Sequence, residues 1–315
     1  MKISRKNDTS FLPLIATAAG ILFVSTASIF IRFAQSEASS IAIAAARLLV
    51  SSAVLVPIAL TRYRHEYQTL TLKDKIQGVL SGVFLTLHFV TWISSLELTT
   101  IASSVVLVTT TPLWVAIFSP IILKESISKL VIIGLFVSMT GSAIVGLSYA
   151  CDFINRGIRC EAVNLSGPSM LGNFLALFGA WMAAGYMLMG RQLRKKLNTI
   201  PYIAMVYGIA AAILSVALLL RYEPVLSYSG QVYIWLLALG LIPQLLGHSL
   251  FNWSLKYVSA AYVSLSLLGE PIGTIILALI LLKESPTMLE GVGSVLILAG
   301  ILIGSIDKLK IRNEN

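Results

Sequence analysis

The chain has 315 residues, of which 57% are hydrophobic and 12% are charged. Soluble proteins of ordinary composition carry about 25% charged residues, so this composition excludes an ordinary soluble domain. The net charge of +9 does not indicate a nucleic-acid partner, because the Lys and Arg residues lie in separate short segments and form no continuous basic stretch.

Ten long apolar blocks follow one another along the chain, and each approaches or exceeds the roughly 18 residues that cross a bilayer as a helix. The predicted transmembrane helices are, in chain order, 11–33, 39–61, 76–95, 100–123, 129–149, 168–190, 199–220, 231–254, 258–282 and 286–305. The first apolar run is longer than the core of about 7–15 residues found in signal peptides, so we expect it to be retained. The sequence therefore predicts an all-α integral membrane protein whose site lies inside the helical bundle.

The distribution of basic residues predicts the orientation in the membrane. Seventeen of the 23 Lys and Arg residues fall on the side of the two chain ends. Arg47 lies within a helix, and the five on the opposite side are Arg32, Arg156, Arg159, Arg221 and Lys283. Cytoplasmic loops of membrane proteins carry an excess of Lys and Arg. We therefore expect both termini in the cytoplasm and the protein in the plasma membrane, or in the inner membrane of a cell that has two.

An internal repeat at an offset of 159 residues divides the chain into two halves. Pro112 matches Pro271, and the tripeptide 124–126 (Lys-Glu-Ser) matches the tripeptide 283–285. Further matches are Gly20 with Gly179, Arg32 with Arg191, Gly134 with Gly293, and Gly141 with Gly300. Because each half has five helices, an odd number, the second half must be inverted in the membrane. Inverted repeats are typical of alternating-access transporters, whereas the alternative is a duplication that serves stability only.

Two stretches carry a family resemblance. HFVTWISSLELTTIASSVVLVTTTPLWVAIFSPIILKES and HSLFNWSLKYVSAAYVSLSLLGEPIGTIILALILLKES resemble the paired EamA repeats of the drug/metabolite transporter (DMT) superfamily. The resemblance implies a first repeat at 11–149, an external linker at 150–167 and a second repeat at 168–305. It also implies ten helices around a central cavity, with helices five and ten peripheral, in a family that consists largely of metabolite and amino-acid exporters with some importers and exchangers.

Polar side chains follow helical spacing inside several predicted spans. Gln244, His248 and Asn252 are spaced i, i+4, i+8 and share one face of the eighth helix. Ser266 and Glu270 have the same spacing in the ninth, where Thr274 follows them, and the third helix carries His88 and Trp92 on one broad face. Such stripes indicate a wet interior that binds a substrate, although Ser, Thr, Asn and Gln also serve as hydrogen-bonding contacts between helices.

Arg47 and Glu270 are charged residues deep in the predicted bundle, where an ionisable group is costly and indicates a function. At about 1.5 Å per residue, Arg47 lies roughly 12 Å and Glu270 roughly 18 Å from opposite surfaces, which is nearly the same height in a core of about 30 Å. They form either a structural ion pair or two ends of a site. In the second case Arg47 binds a carboxylate through its planar fork, and Glu270 faces an ammonium group or takes a proton.

The remaining candidates follow from the repeat and from depth. Pro112 and Pro271 remove backbone donors and should bend the fourth and ninth helices around the site. Thr111 holds the position that Glu270 has in the other half. Trp92 is either an interfacial anchor or part of the site, and Trp181 lies deeper and is the better candidate for stacking on a substrate. The predicted substrate-binding residues are thus Arg47, His88, Trp92, Thr111, Trp181, Gln244, His248, Asn252, Ser266 and Glu270. Zinc-ligand spacings are absent, so we expect neither a metal nor a cofactor.

These observations predict a secondary transporter that moves a small metabolite, an amino acid or a related amphipathic compound, outward by alternating access. The expected partners are a small-molecule substrate and the lipid bilayer, with proton coupling as one option, no nucleic acid, and a monomeric or homodimeric state. An importer or exchanger of the same fold is the alternative. An integral-membrane enzyme is the alternative from another class, but no paired acids, metal cluster or nucleophile with its base stand at useful spacing.

The two cysteines, Cys151 and Cys160, both fall in the predicted external linker. An oxidising compartment permits a disulfide between them, and two free thiols are the alternative.

Overall fold

The computed structural model describes residues 11–99, 101–148, 151–154, 157–160, 168–277, 279–280, 283 and 285–310. Ten helices in this part of the chain are long and apolar enough to span a membrane, as the sequence predicts. They are α1 Leu12–Ala34, α2 Ser40–Arg62, α3 Leu72–Leu98, α4 Val106–Leu123, α5 Lys129–Leu147, α6 Pro168–Leu193, α7 Thr199–Leu220, α8 Gly230–Ser254, α9 Ala260–Leu277 and α10 Met288–Ile306. We call the face with the start of α1 and the end of α10 the terminal face, and the opposite one the hairpin face.

Four of the ten spans are not continuous α-helices. α1 consists of Leu12–Val24 and Ala27–Ala34, and α9 of Ala260–Leu267 and Glu270–Leu277. The α4 segment begins as Ile101–Val108, resumes as Thr111–Phe118 and ends in the π-helix Ser119–Leu123. α8 consists of Gly230–Leu239, the π-helix Gly240–His248 and Ser249–Ser254. The α10 helix continues to Lys310, and a short helix Arg64–Gln68 precedes α3.

The prolines of α4 and α9 explain two of these breaks. Pro112 and Pro271 are each the second residue of the resumed helix, where a missing backbone N–H is tolerated. Proline leaves the carbonyl of Val108 without its helical donor, and the hydroxyl of Thr111 donates to that carbonyl instead, at 2.8 Å. The helices are therefore interrupted at equivalent places in the two halves, where the sequence predicts bends.

Local sequence also determines where the helices begin. The side chains of Ser39, Ser229 and Ser259 accept hydrogen bonds from backbone N–H groups in the first turns of α2, α8 and α9. Thr71 and Asp74 form a capping box at the start of α3, in which each side chain bonds the other residue's backbone N–H. These caps satisfy donors that would otherwise be unpaired at the membrane surface.

The two halves are related by an internal twofold axis. α5 packs along α10, α2 along α7, α3 along α6 and α1 along α8, so the pairs α3–α6 and α8–α1 are equivalent. On the axis the hydroxyl of Ser138 donates to the carbonyl of Ile297 at 3.1 Å, and these residues are themselves one repeat apart. Gly134 packs against Gly300, and Gly141 against Gly293, so absent side chains let α5 and α10 approach closely. The predicted inverted repeat is thereby confirmed.

A β-hairpin, which the sequence reasoning did not predict, joins the halves. Strands β1 Cys151–Ile154 and β2 Gly157–Cys160 pair antiparallel, with Cys151 directly opposite Cys160. Residues in that position have Cα atoms about 4.5–5.5 Å apart, within the range of about 4.4–6.8 Å that a disulfide needs. The two cysteine side chains lie outside the described residues, so the disulfide stays a prediction.

Candidate functional site

A cavity of about 120 Å³ lies in the middle of the bundle, between the two halves. Side chains from α1, α2, α3, α4, α6, α8 and α9 line it. Seven of the ten predicted substrate-binding residues are on its wall: Arg47, His88, Trp92, Thr111, His248, Asn252 and Glu270. Buried apolar residues surround most of its surface, and the polar groups are few and convergent, as in sites for small molecules.

Arg47 enters the cavity from α2 and is only 1% exposed. Its Nε donates to Oε1 of Gln244 at 2.9 Å, and its guanidinium carbon lies 4.0 Å from the centroid of the Phe89 ring. Its Nη1 has no hydrogen-bond partner among the described residues. A buried guanidinium with a free donor at a cavity is suited to bind an anionic group such as a carboxylate.

Glu270 enters the cavity from α9, where it is the first residue after the helix break. Its backbone carbonyl accepts a hydrogen bond from the Ser25 hydroxyl at 2.9 Å, which ties the break in α9 to the break in α1. Glu270 and Arg47 interact electrostatically across the cavity. They make no direct ion pair within 4.0 Å, since the ion pairs in the described part of the chain involve Glu125 and Asp74 instead. A structural ion pair, one of the two alternatives left by the sequence, is therefore not formed in this structure, and both side chains face a common space.

Two aromatic residues of α3 form a second part of the wall. His88 bonds the carbonyl of Gly179 through Nδ1 at 2.9 Å, and its ring is stacked with that of Trp92, with centroids 5.9 Å apart and an angle of 9°. The Nε1 of Trp92 is buried and has no hydrogen-bond partner among the described residues. Trp92, which lies toward the end of α3, thus offers the cavity an aromatic surface.

On the opposite side of the cavity, α8 contributes polar side chains that are joined to their neighbours by hydrogen bonds. The Nδ2 of Asn252 donates to the hydroxyl of Tyr186 at 2.5 Å and to the carbonyl of His248 at 2.7 Å. The Oδ1 of Asn252 is buried and has no partner in the described part of the chain. The His248 ring contacts the Phe89 ring edge-on, with centroids 5.6 Å apart, so α8 and α3 meet across the cavity.

Three predicted residues do not line the cavity. Gln244 is fully buried and bonds Arg47 from behind, and Ser266 is 1% exposed and donates to the carbonyl of Tyr262. The interruption of α9 separates Ser266 from Glu270, so their i, i+4 spacing no longer places them on one face. Trp181 precedes Ala183, which does line the cavity, by two positions, about 200° around the helix. It packs edge-on against Trp114 instead, with centroids 5.3 Å apart.

Sequence reasoning missed Phe89, Tyr186, Met187 and Phe251, all of which line the cavity. Aromatic and thioether side chains are as common on a lipid-facing or packed helix face as in a site, so their types gave no signal. The repeat does give one. Phe89 is equivalent to His248, a residue that the polar stripe had already indicated.

Ten helices long and apolar enough to span a membrane, in two inverted halves with two opposite charges at a central cavity, define the fold of a multi-pass membrane protein. The sequence pattern of the EamA-like transporter family matches residues 12–147 and 170–306. The chain belongs to this family, and the resemblance to the DMT superfamily is confirmed.

One relative is the protein named "Uncharacterized transporter sll1164" of Synechocystis sp., which is 26% identical over 223 residues. The alignment covers 69% of this chain and 61% of the relative, so the chain spans less than two thirds of that protein's length. A solved crystal structure of a protein superposes with a TM-score of 0.76 at 16% identity, covering 95% of this chain and 98% of the other. At that identity the likeness shows the fold alone.

Proposed function

We propose that this protein is a secondary transporter that exports a small zwitterionic metabolite, an amino acid or a close relative, by alternating access. The observation that carries the proposal is the pair of opposite charges, Arg47 and Glu270, which face one cavity without a direct ion pair in the described residues. A ligand with a carboxylate and an ammonium group would satisfy both charges at once, whereas an empty pair leaves each partly desolvated.

Alternating access is supported by the inverted repeat, because two halves of the same fold can exchange their conformations and open the site to opposite faces. Export is the direction that the family resemblance favours. The repeats that we assign, 11–149 and 168–305 with the linker 150–167, are the bodies that would move against each other.

Counterflow in proteoliposomes tests the proposal. Proteoliposomes that contain the purified protein are loaded with one unlabelled member of a metabolite panel at a time, and uptake of the same compound in labelled form is measured. We expect accumulation of compounds that carry both a carboxylate and an ammonium group, and its loss in Arg47→Gln. Uptake of cations or neutral compounds that is unaffected by Arg47→Gln would contradict the assignment of the substrate.

We further propose that the terminal face is cytoplasmic and that the protein resides in the plasma membrane or the bacterial inner membrane. The excess of Lys and Arg on that face supports this orientation. Reporter fusions after Ser36 and Gly157 should score as external, and a fusion after Lys196 as cytoplasmic. An external score after Lys196 would contradict the orientation.

A further inference from the structure

Two residues hold the Arg47 side chain in place, one through a ring contact and the other through a hydrogen bond. The Phe89 ring supports one face of the guanidinium, and Gln244 accepts a hydrogen bond from its Nε at 2.9 Å. Gln244 is fully buried and lies outside the cavity wall, so no substrate can reach it while Arg47 is in this position. Among the described residues, Gln244 bonds Arg47 directly, and it is also linked through Tyr207 to Asn252 on the cavity wall.

The local structure of α8 explains how Gln244 comes to lie there. It belongs to the π-helix Gly240–His248, which also contains Pro243. Gly240 begins this segment, and its carbonyl accepts a hydrogen bond from Ser51 of α2 at 2.7 Å. Any side chain at Gly240 would meet Val50 and the carbonyl of Arg47, so the two helices approach closely at this point. Short π-helical segments are frequent at functional sites because the extra residue redirects side chains.

The geometry points to Gln244 as a positioning residue that determines which edge of the Arg47 guanidinium meets the substrate. A carboxylate can bind a guanidinium with two parallel hydrogen bonds, either at the edge formed by Nε and one Nη or at the edge formed by both Nη atoms. Gln244 occupies Nε, and Nη1 has no partner among the described residues. Because Arg47 lines the cavity and its Nε is already bonded, the carboxylate is directed to the Nη edge. This inference rests on the proposed function, in which Arg47 binds a substrate carboxylate.

The other half of the protein supplies the control substitution. The repeat equivalent of Gln244 is Leu85 of α3, so Gln244→Leu gives α8 the residue that this position tolerates in α3. Gln244→Met keeps the length of the side chain and removes only its polar atoms, which provides a second variant if Gln244→Leu folds poorly. Arg47→Lys keeps the positive charge but cannot form the two-bond contact.

The transport experiment uses full-length protein in proteoliposomes and a ¹⁴C-labelled mixture of the standard L-amino acids. We expect Gln244→Leu and Gln244→Met to raise the apparent KM about tenfold, the loss of one well-oriented charged contact, while Vmax stays within about twofold of wild type. A merely structural role would lower Vmax with the amount of folded protein and leave KM unchanged. If Arg47→Lys raises KM and both Gln244 variants do not, the positioning role is wrong and the proposed function survives. If the mixture is not transported, or Arg47→Lys has no effect on KM, the proposed function fails.

A second readout judges the positioning role without any substrate. Phenylglyoxal, a reagent for guanidinium groups, is applied to purified protein, and the modification rate of Arg47 is measured by peptide mass spectrometry. We expect at least threefold slower modification of Arg47 in both Gln244 variants, because the Nη edge is no longer held toward the cavity, and unchanged modification of Arg194, which bonds backbone carbonyls. Equal rates at Arg47 in wild type and both variants would overturn the inference.

Discussion

The helix pair α3–α6 and its repeat equivalent α8–α1 have the same place in their halves but different structures. α3 and α6 are continuous α-helices, whereas α8 contains a π-helix and α1 is interrupted. The side chains differ in the same sense. The polar stripe of α8 is equivalent to three apolar residues of α3, so that Gln244 corresponds to Leu85, His248 to Phe89 and Asn252 to Ile93.

This difference distinguishes the residues that build the frame of the fold from the residues that build the site. Features that both halves retain build the frame, such as the breaks before Pro112 and Pro271 and the glycines between α5 and α10. Features that one half has alone build the site, because a cavity that binds a small asymmetric molecule cannot be symmetric itself. The same holds in α4 and α9, where Thr111 stands opposite Glu270 as its repeat equivalent.

The largest expected effect is at that last pair. Glu270→Gln removes a charge that no protein cation directly pairs in the described part of the chain, whereas Thr111→Val removes a hydroxyl that already bonds Val108. We expect Glu270→Gln to weaken substrate binding by about 10- to 100-fold, the loss of a charged hydrogen bond of about 1.5–3 kcal/mol, and Thr111→Val to have much less effect. The measurement is counterflow and pH-gradient-driven flux in proteoliposomes.

The two assays also distinguish the roles of Glu270. If Glu270 recognises an ammonium group, both assays should weaken equally. If it couples protons, gradient-driven flux should be lost while exchange partly remains. Wild-type transport by a well-expressed Glu270→Gln protein at all pH values and gradients would remove Glu270 from the site.

A smaller effect is expected at the ends of α4 and α9. On the terminal face, Arg191 donates to Glu125 at 2.9 Å and to the carbonyl of Leu255, which lines the cavity. The repeat equivalents are Arg32, which lies on the hairpin face, and Glu284, which lies outside the described residues. We expect Glu125→Gln to weaken the connection between α4, α6 and α8, and so to open the terminal face.

Maleimide labelling of Leu255→Cys, in a chain with Cys151→Ser and Cys160→Ser, measures that opening. A partly exposed ion pair contributes up to about 1 kcal/mol, so labelling should rise by about three- to fivefold. Glu284→Gln is the matched control and should not increase it. An equal increase in both variants would show that the effect is a general loosening and not a change on one face.

How far the fold could be predicted depends on the kind of signal. The ten spans follow from hydropathy alone, and the inversion follows from the odd helix number, because both are determined by the membrane. The hairpin was not predicted, since its residues lie in a linker of mixed composition. Arg47 and Glu270 were predicted to face the site because a charged side chain in a membrane span avoids the lipid and faces the interior of the bundle.

The remaining site residues show where helical periodicity fails. Gln244 shares a stripe with His248 and Asn252 only on a regular α-helix, and the π-helix of α8 turns it toward Arg47 instead. Ser266 is separated from Glu270 by the break in α9. Trp181 was favoured over Trp92 on depth alone, but depth does not determine which face of a helix meets the cavity, and only packing between helices decides that.

The smallest expected effect concerns a hydrogen bond on the hairpin face, between the loop after α1 and the start of α8. The Glu37 carboxylate accepts a hydrogen bond from the backbone N–H of Ser229 at 2.6 Å. This hydrogen bond lowers the pKa of Glu37 below its ordinary value of 4.5. A group whose pKa is lowered on folding stabilises the protein above that ordinary value, and the stabilisation is lost as the pH falls through the folded value. The contribution should be small, because the carboxylate is exposed to solvent. On the terminal face the equivalent residue is Lys196, which pairs with Asp74 at 2.6 Å.

Glu37→Gln should therefore lower the Tm of the detergent-solubilised protein slightly at neutral pH. The difference from wild type should shrink below pH 4.5 and vanish as the pH falls through the lowered pKa of Glu37. Ser229→Ala is the matched control. It removes the hydroxyl that caps α8 and also bonds Glu37, but it keeps the backbone N–H that bonds Glu37. It should therefore lower Tm at every pH and reduce the pH dependence without removing it. A Tm difference between Glu37→Gln and wild type that is the same at acid and neutral pH would show that the hydrogen bond does not stabilise the hairpin face. In that case only the terminal-face member of this repeat-equivalent pair, Lys196 with Asp74, would stabilise the fold through a charged side chain.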